Sequence, residues 1–126
     1  MVRAVALALV VTSALIAASQ LMAQEARAPA YVLVQSISVT DQAAFERYQA
    51  LARDTIARHG GRFLSRGANV QFLEGQGDFS RVGLIEFPSM AAANDWFKSP
   101  EFQEAMKVRR TAGEQRIFLI EGRSNN

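Results

Sequence analysis

The side chains of this sequence best suited to chemistry are few: one histidine, two strand arginines and a glutamate set among apolar residues. His59 opens the stretch His59-Gly60-Gly61-Arg62-Phe63-Leu64-Ser65-Arg66-Gly67, where an amphipathic helix ends, two glycines turn the chain and a strand begins. With an unperturbed pKa near neutrality, His59 could serve as a general acid or base at the mouth of a pocket. The competing reading is a helix C-terminus favoured by the dipole and local capping. Glu86 lies between Ile85 and Phe87 in a strand expected to be buried, so it is either paired or a carboxyl of raised pKa fit for acid–base work. Arg66 and Arg81 are its expected partners, and the planar fork of Arg66 could instead clamp an acidic ligand. Trp96, Phe97 and Phe102 either line an apolar pocket or form core at helical spacing.

Other chemistries lack their residues. The chain has no cysteine, no phosphate-cradling glycine loop, no serine-nucleophile motif and no metal-ligand cluster, so neither a metal nor a cofactor is expected. A lone histidine with no neighbour in sequence to orient its ring leaves haem handling a distant alternative. Twelve of the fourteen basic residues are arginine, scattered among twelve acids rather than gathered in a stripe, which argues against nucleic acid as a partner.

A chain of 126 residues makes one domain, and its beginning is not part of it. Arg3 precedes an apolar run over residues 4–18, and Leu21-Met22-Ala23 ends in a small residue, which is the plan of a secretory signal cleaved after Ala23. The run falls short of the ~20 residues a spanning helix needs, so a membrane is met only through an uncleaved signal. The expected location is therefore periplasmic or secreted. Residues 24–30 read as a linker, 31–122 as the domain and 123–126 as a frayed tail. About a hundred residues without disulfides is near the size at which dimerisation helps.

Strand formers run from Tyr31 to Val39, and Thr40-Asp41 then caps a helix with a stripe of Phe45, Tyr48, Leu51/Ala52 and Thr55/Ile56. Gly60 suits the left-handed residue after that helix. A second strand starts at Arg62 and either bends at Gly67-Ala68-Asn69 to resume over Val70 to Glu74, or turns there as a tight hairpin. A third strand spans Arg81 to Phe87 and stops at Pro88. Ser89 caps a helix to Phe97, and Ser99-Pro100-Glu101 caps another with the stripe Phe102, Ala105 and Met106. Gln115 to Glu121 is the last strand. The order βαββαβ predicts an α+β, ferredoxin-like antiparallel sheet with its helices on one face. Strands one, three and four carry apolar residues on both parities, so the second face is expected to meet the same face of a second subunit.

The segments His59 to Gly67, Leu73-Glu74-Gly75, Arg81 with Ile85-Glu86-Phe87-Pro88-Ser89, and Trp96-Phe97-Lys98-Ser99-Pro100-Glu101-Phe102 resemble the family of domains of unknown function number 1330 (DUF1330), from about Tyr31 to Gly122. That resemblance implies a dimeric α+β barrel, a superfamily that includes cofactor-free monooxygenases, haem-degrading enzymes, isomerases and plain binding domains. Ala68 stands where the family commonly has glycine, and Phe97 and Phe102 where tyrosines are common, so roles resting on those hydroxyls do not carry over. The expectation is an exported homodimer that binds, or converts without cofactor, a small apolar or weakly acidic molecule in a sheet–helix cleft. His59, Arg66 and Glu86 would be its candidate catalytic groups, and Arg81, Trp96, Phe97 and Phe102 its ligand contacts. The alternative is a dimeric binding or scaffold domain without chemistry.

Overall fold

The structure is a computed structural model that describes residues 12–20, 28–67 and 69–124. The first segment is helical, with the Ser19 hydroxyl donating to the Leu15 carbonyl. Arg3 and the expected cleavage site after Ala23 lie outside the described residues. Among the described residues, no helix is long and apolar enough to cross a membrane.

A separate compact unit runs from Ala28 to Arg123. Its elements are β1 (Ala30–Val39), α1 (Gln42–Arg58), β2 (Arg62–Arg66), β3 (Arg81–Phe87), α2 (Met90–Lys98), α3 (Pro100–Ala112) and β4 (Gly113–Glu121). The strands form one antiparallel sheet in the order β2-β3-β1-β4. The fold is therefore the expected ferredoxin-like α+β arrangement, with the second helical layer divided in two.

Polar side chains start and stop the helices where the sequence places them. Asp41 accepts from the Ala44 N–H at the start of α1, and Ser89 accepts from Ala92 N–H at the start of α2. Between α2 and α3 a single residue serves both ends. The Ser99 hydroxyl donates to the Trp96 carbonyl and accepts from the Phe102 N–H, with Pro100 following at the first helical position. At the end of α1, His59 is the C-cap and Gly60 takes φ +77°, the left-handed conformation glycine adopts without strain. Gly61 then passes so close to Ile56 and Phe87 that a Cβ would sit 2.7 Å from each, which brings the end of α1 against the end of β3.

The core lies between the helices and one sheet face. Val32, Ile85 and Phe87 meet Phe45, Tyr48, Ala52 and Ile56 of α1, together with Trp96, Phe102 and Met106. Trp96 is the centre of this packing, 4.1 Å from the Phe102 ring and 5.2 Å from Phe87 between centroids. Its indole N–H donates to Thr55 Oγ1, which in turn donates to the Ala52 carbonyl, so no polar atom of this contact is left unpaired. Leu51, expected on the buried stripe of α1, is half exposed; Ala52 takes the sheet-facing position beside it.

The second strand differs from expectation. It ends at Arg66, and residues 69–80 contain neither a resumed strand nor a hairpin. Gly67 explains the ending: at φ +70° a Cβ would run into the Val82 backbone, so the chain leaves the ladder at a point only glycine can occupy. Among the apolar residues beyond it, Phe72 rests on Phe79 at 5.3 Å, while Leu73 stands almost wholly in solvent. Asp78 fastens this segment to β4 through two hydrogen bonds to Arg116, and the guanidinium in turn holds the Asp78 carboxyl below its usual range.

Candidate ligand-binding cleft

Alternation along the strands divides the sheet into two faces, and the register says which residues share a row. On the helix-covered face one row reads Phe63, Ile85, Val32, Leu119; the next reads Arg66, Gly83, Val34, Ile117; a third reads Arg81, Ser36, Gln115. Apolar side chains thus give way to polar ones along the face. Above these rows lies the inward side of α1, with Phe45, Tyr48, Gln49, Ala52, Arg53 and Ile56. Between the two layers is a cleft of about 120 Å³, with Trp96 in its wall.

Two local features make this space. Gly83 has no side chain to fill the floor opposite Val34, and a Cβ there would meet Val34 at an ordinary 3.6 Å. Its glycine is used for room rather than for backbone freedom. The other feature is a bulge in β2 between Phe63 and Ser65. Strict alternation would send Arg66 to the opposite face from Phe63. The extra residue, Leu64, reverses the parity, so Arg66 pairs with Gly83 and joins the cleft, its guanidinium 4.9 Å above the Phe63 ring.

The charges of the cleft are all of one sign. Arg53, Arg66 and Arg81 line it and no carboxylate does. The ion pairs among the described residues are made by Arg62, Lys107 and Arg116, leaving those three guanidiniums without an acidic partner. Deeper in, burial pushes the Tyr48 phenol up to about 12, while the Arg109 guanidinium pulls it part of the way back. The phenol is a hydrogen-bond donor at any ordinary pH. Gln115 donates to the Ser36 hydroxyl at 3.1 Å, and its buried Oε1 has no protein donor among the described residues.

The residues singled out in the sequence fall into two groups. Arg66, Arg81 and Trp96 meet in the cleft. His59, Glu86, Phe97 and Phe102 do not line it. His59 is the cap of α1, half-buried, with Nδ1 2.8 Å from the Thr55 carbonyl it faces, so the capping reading describes its position. Glu86 pairs with neither Arg66 nor Arg81. Its partner is Arg62, at 3.0 Å, because the register sets these two opposite each other on the face turned away from the helices. Phe102 is buried beneath Trp96. Phe97, about 39 % exposed, borders a second, mainly apolar cavity of about 190 Å³ along β4 with Phe118 and Leu119. Tyr48, Ser36, Gly83 and Gln115 were not foreseen. The alternation of β1 and β4 could have placed Ser36 and Gln115 in one row, but only with the register in hand. Among the described residues, no group of histidines and acids is arranged to hold a metal.

A four-stranded antiparallel sheet with α1, α2 and α3 on one side and a cleft beneath α1 defines a ferredoxin-like α+β domain. The chain belongs to the family named Domain of unknown function (DUF1330), whose sequence profile matches residues 29–123. Among solved structures, a protein of unknown function from Rhodopseudomonas palustris, RPA0582, is 22 % identical with a TM-score of 0.62, the match covering 82 % of this chain and 92 % of that one. SnoaB, a cofactor-independent oxygenase from Streptomyces nogalater, is 21 % identical with a TM-score of 0.53, covering 78 % and 95 %. A dimeric ferredoxin-like protein of unknown function from Jannaschia sp. CCS1 is 18 % identical with a TM-score of 0.55, covering 74 % and 98 %. No curated protein matches the sequence.

Proposed function

We propose that this domain binds a small molecule in the cleft beneath α1, as an exported homodimer. The observation that carries the binding reading is the cleft itself, with an apolar end at Ile56, Phe63, Ile85 and Trp96 and a polar end at Arg66, Arg81, Ser36 and Gln115. Binding is favoured over turnover by the titratable groups present. The lining offers three guanidiniums and a phenol that burial holds protonated, but no carboxylate or imidazole, whereas His59 and Glu86 stand elsewhere. The likeness to a cofactor-independent oxygenase extends to the fold and carries no reaction to this chain. A tetrapyrrole is several times too large for the space, which disfavours haem handling.

The homodimer is supported by the other face of the sheet. Tyr31, Leu33, Leu84, Phe118 and Ile120 lie there in adjoining rows, outside the core and with Phe118 and Ile120 exposed, and the similar Jannaschia protein is dimeric. Export is supported by Arg3 and the apolar run that follows it. Protein purified from its own host should yield an extractable small molecule by mass spectrometry, and a Gly83→Val protein, its cleft filled, should yield none. The same spectra should show a mature chain beginning near Gln24. Identical extracts from both proteins would remove the cleft from consideration, and an intact Met1 terminus would remove the export reading.

A further inference from the structure

The size, charge and polarity of the cleft narrow the ligand to one chemical class. A dry cavity of about 150 Å³ holds a single benzene molecule, so about 120 Å³ with an open mouth takes one ring or a branched chain of similar bulk, not a fused polycycle. Three guanidiniums without an acidic partner among the described residues, in a lining that holds no carboxylate, create a positive potential at the mouth that a neutral ligand would leave uncompensated. Arg66 and Arg81 sit on neighbouring strands, at the polar end of the sheet rows, and a planar fork of this kind matches the two oxygens of a carboxylate. The Ser36 hydroxyl, which accepts from Gln115, keeps its own proton to give in the same row as Arg81. At the other end stand the buried Trp96 and Ile85, with Phe63 paired beside Ile85 and the Arg66 guanidinium above the Phe63 ring.

We propose that the cleft selects monocyclic carboxylic acids, holding the carboxylate at Arg66 and Arg81 and the ring against Ile85 and Trp96. This rests on the cleft being a binding site at all, and the test separates the two claims. Trp96 is the sole tryptophan of the chain, so its indole N–H gives one resolved signal from the cleft wall. That signal should be followed in the full-length protein during titration with benzoate, its neutral isostere benzamide, and 1-naphthoate. Benzoate should shift it saturably and bind about ten- to a hundredfold more tightly than benzamide, the range expected of a charge-assisted contact. Arg66→Met and Arg81→Met, both at exposed guanidiniums, should each weaken benzoate far more than benzamide and so erase most of that preference. Added salt should weaken benzoate and not benzamide.

Benzamide binding as tightly as benzoate would overturn the carboxylate assignment and leave the cleft standing as a site for neutral ligands. Naphthoate binding as well as benzoate would overturn the single-ring limit. If none of the three moves the indole signal at millimolar concentration, the ligand class is overturned, and the binding reading falls with it only if wild-type and Gly83→Val extracts are also identical.

Discussion

The two faces of one sheet are built from the same strands yet answer different questions. On the covered face, rows of Phe63, Ile85, Val32 and Leu119 bury under helices, with a cleft where Gly83 leaves room beneath α1 and a second cavity beside Leu119. On the bare face, Leu33, Leu84 and Phe118 share a row outside the core, bordered by the pair of Arg62 with Glu86. Apolar content alone does not tell these faces apart. What separates them is the presence of a tryptophan–threonine contact and a bulge on one, and a solvent-facing ion pair on the other. A side chain's importance for folding therefore follows from its row and not from its hydrophobicity.

The largest effect should come from the covered face. Trp96→Ala removes a fully buried indole and strands Thr55, and should cost about 3–5 kcal/mol in chemical denaturation. Tyr48 should make the same face sensitive to alkali. Its folded-state pKa is raised, so the stability it contributes is complete below about pH 10 and is lost as pH rises through about 12, on the order of 2 kcal/mol. Unfolding curves across that window should slope downward for the wild type, and Tyr48→Phe should flatten the slope.

Mid-strand leucines sharpen the contrast further. Leu119 packs against the core whereas Leu33 lies on the bare face. Leu119→Asp should unfold the domain. Leu33→Asp should leave a folded chain whose mass in light scattering falls from dimer to monomer; a wild-type monomer at micromolar concentration would dispose of the dimer. The smallest effect belongs to the ion pair. With the Arg62 side chain about 70 % exposed and Glu86 about 26 %, Glu86→Gln should change stability by less than about 1 kcal/mol by thermal melting.

Much of the architecture was legible in the residues. Asp41, Ser89, Ser99 with Pro100, and Gly60 announce helix ends by mechanisms that act within a few residues, and the apolar stripes do the same for the helices between them. The site was less legible because it depends on register. Arg66 reaches the cleft only through the bulge at Leu64, and Glu86 meets Arg62 only because β2 and β3 align there. Val70, Phe72 and Leu73 read as strand by composition, but the turn at Gly67 takes them off the ladder and Phe72 packs on Phe79 instead. In each case a contact made across the sheet overrides what neighbours in sequence prefer.

The joint at Ser99 has a consequence for how this chain can change in length. One hydroxyl closes α2 and opens α3, so even a single inserted residue would separate those duties and pull Trp96 off Phe102. The segment of residues 69–80 is under no such constraint, being fastened by Asp78 to Arg116, on the bare side of β4. New residues would be tolerated there and would grow over the face opposite the cleft. Variation in chain length should therefore alter what the domain assembles with while leaving what it binds untouched.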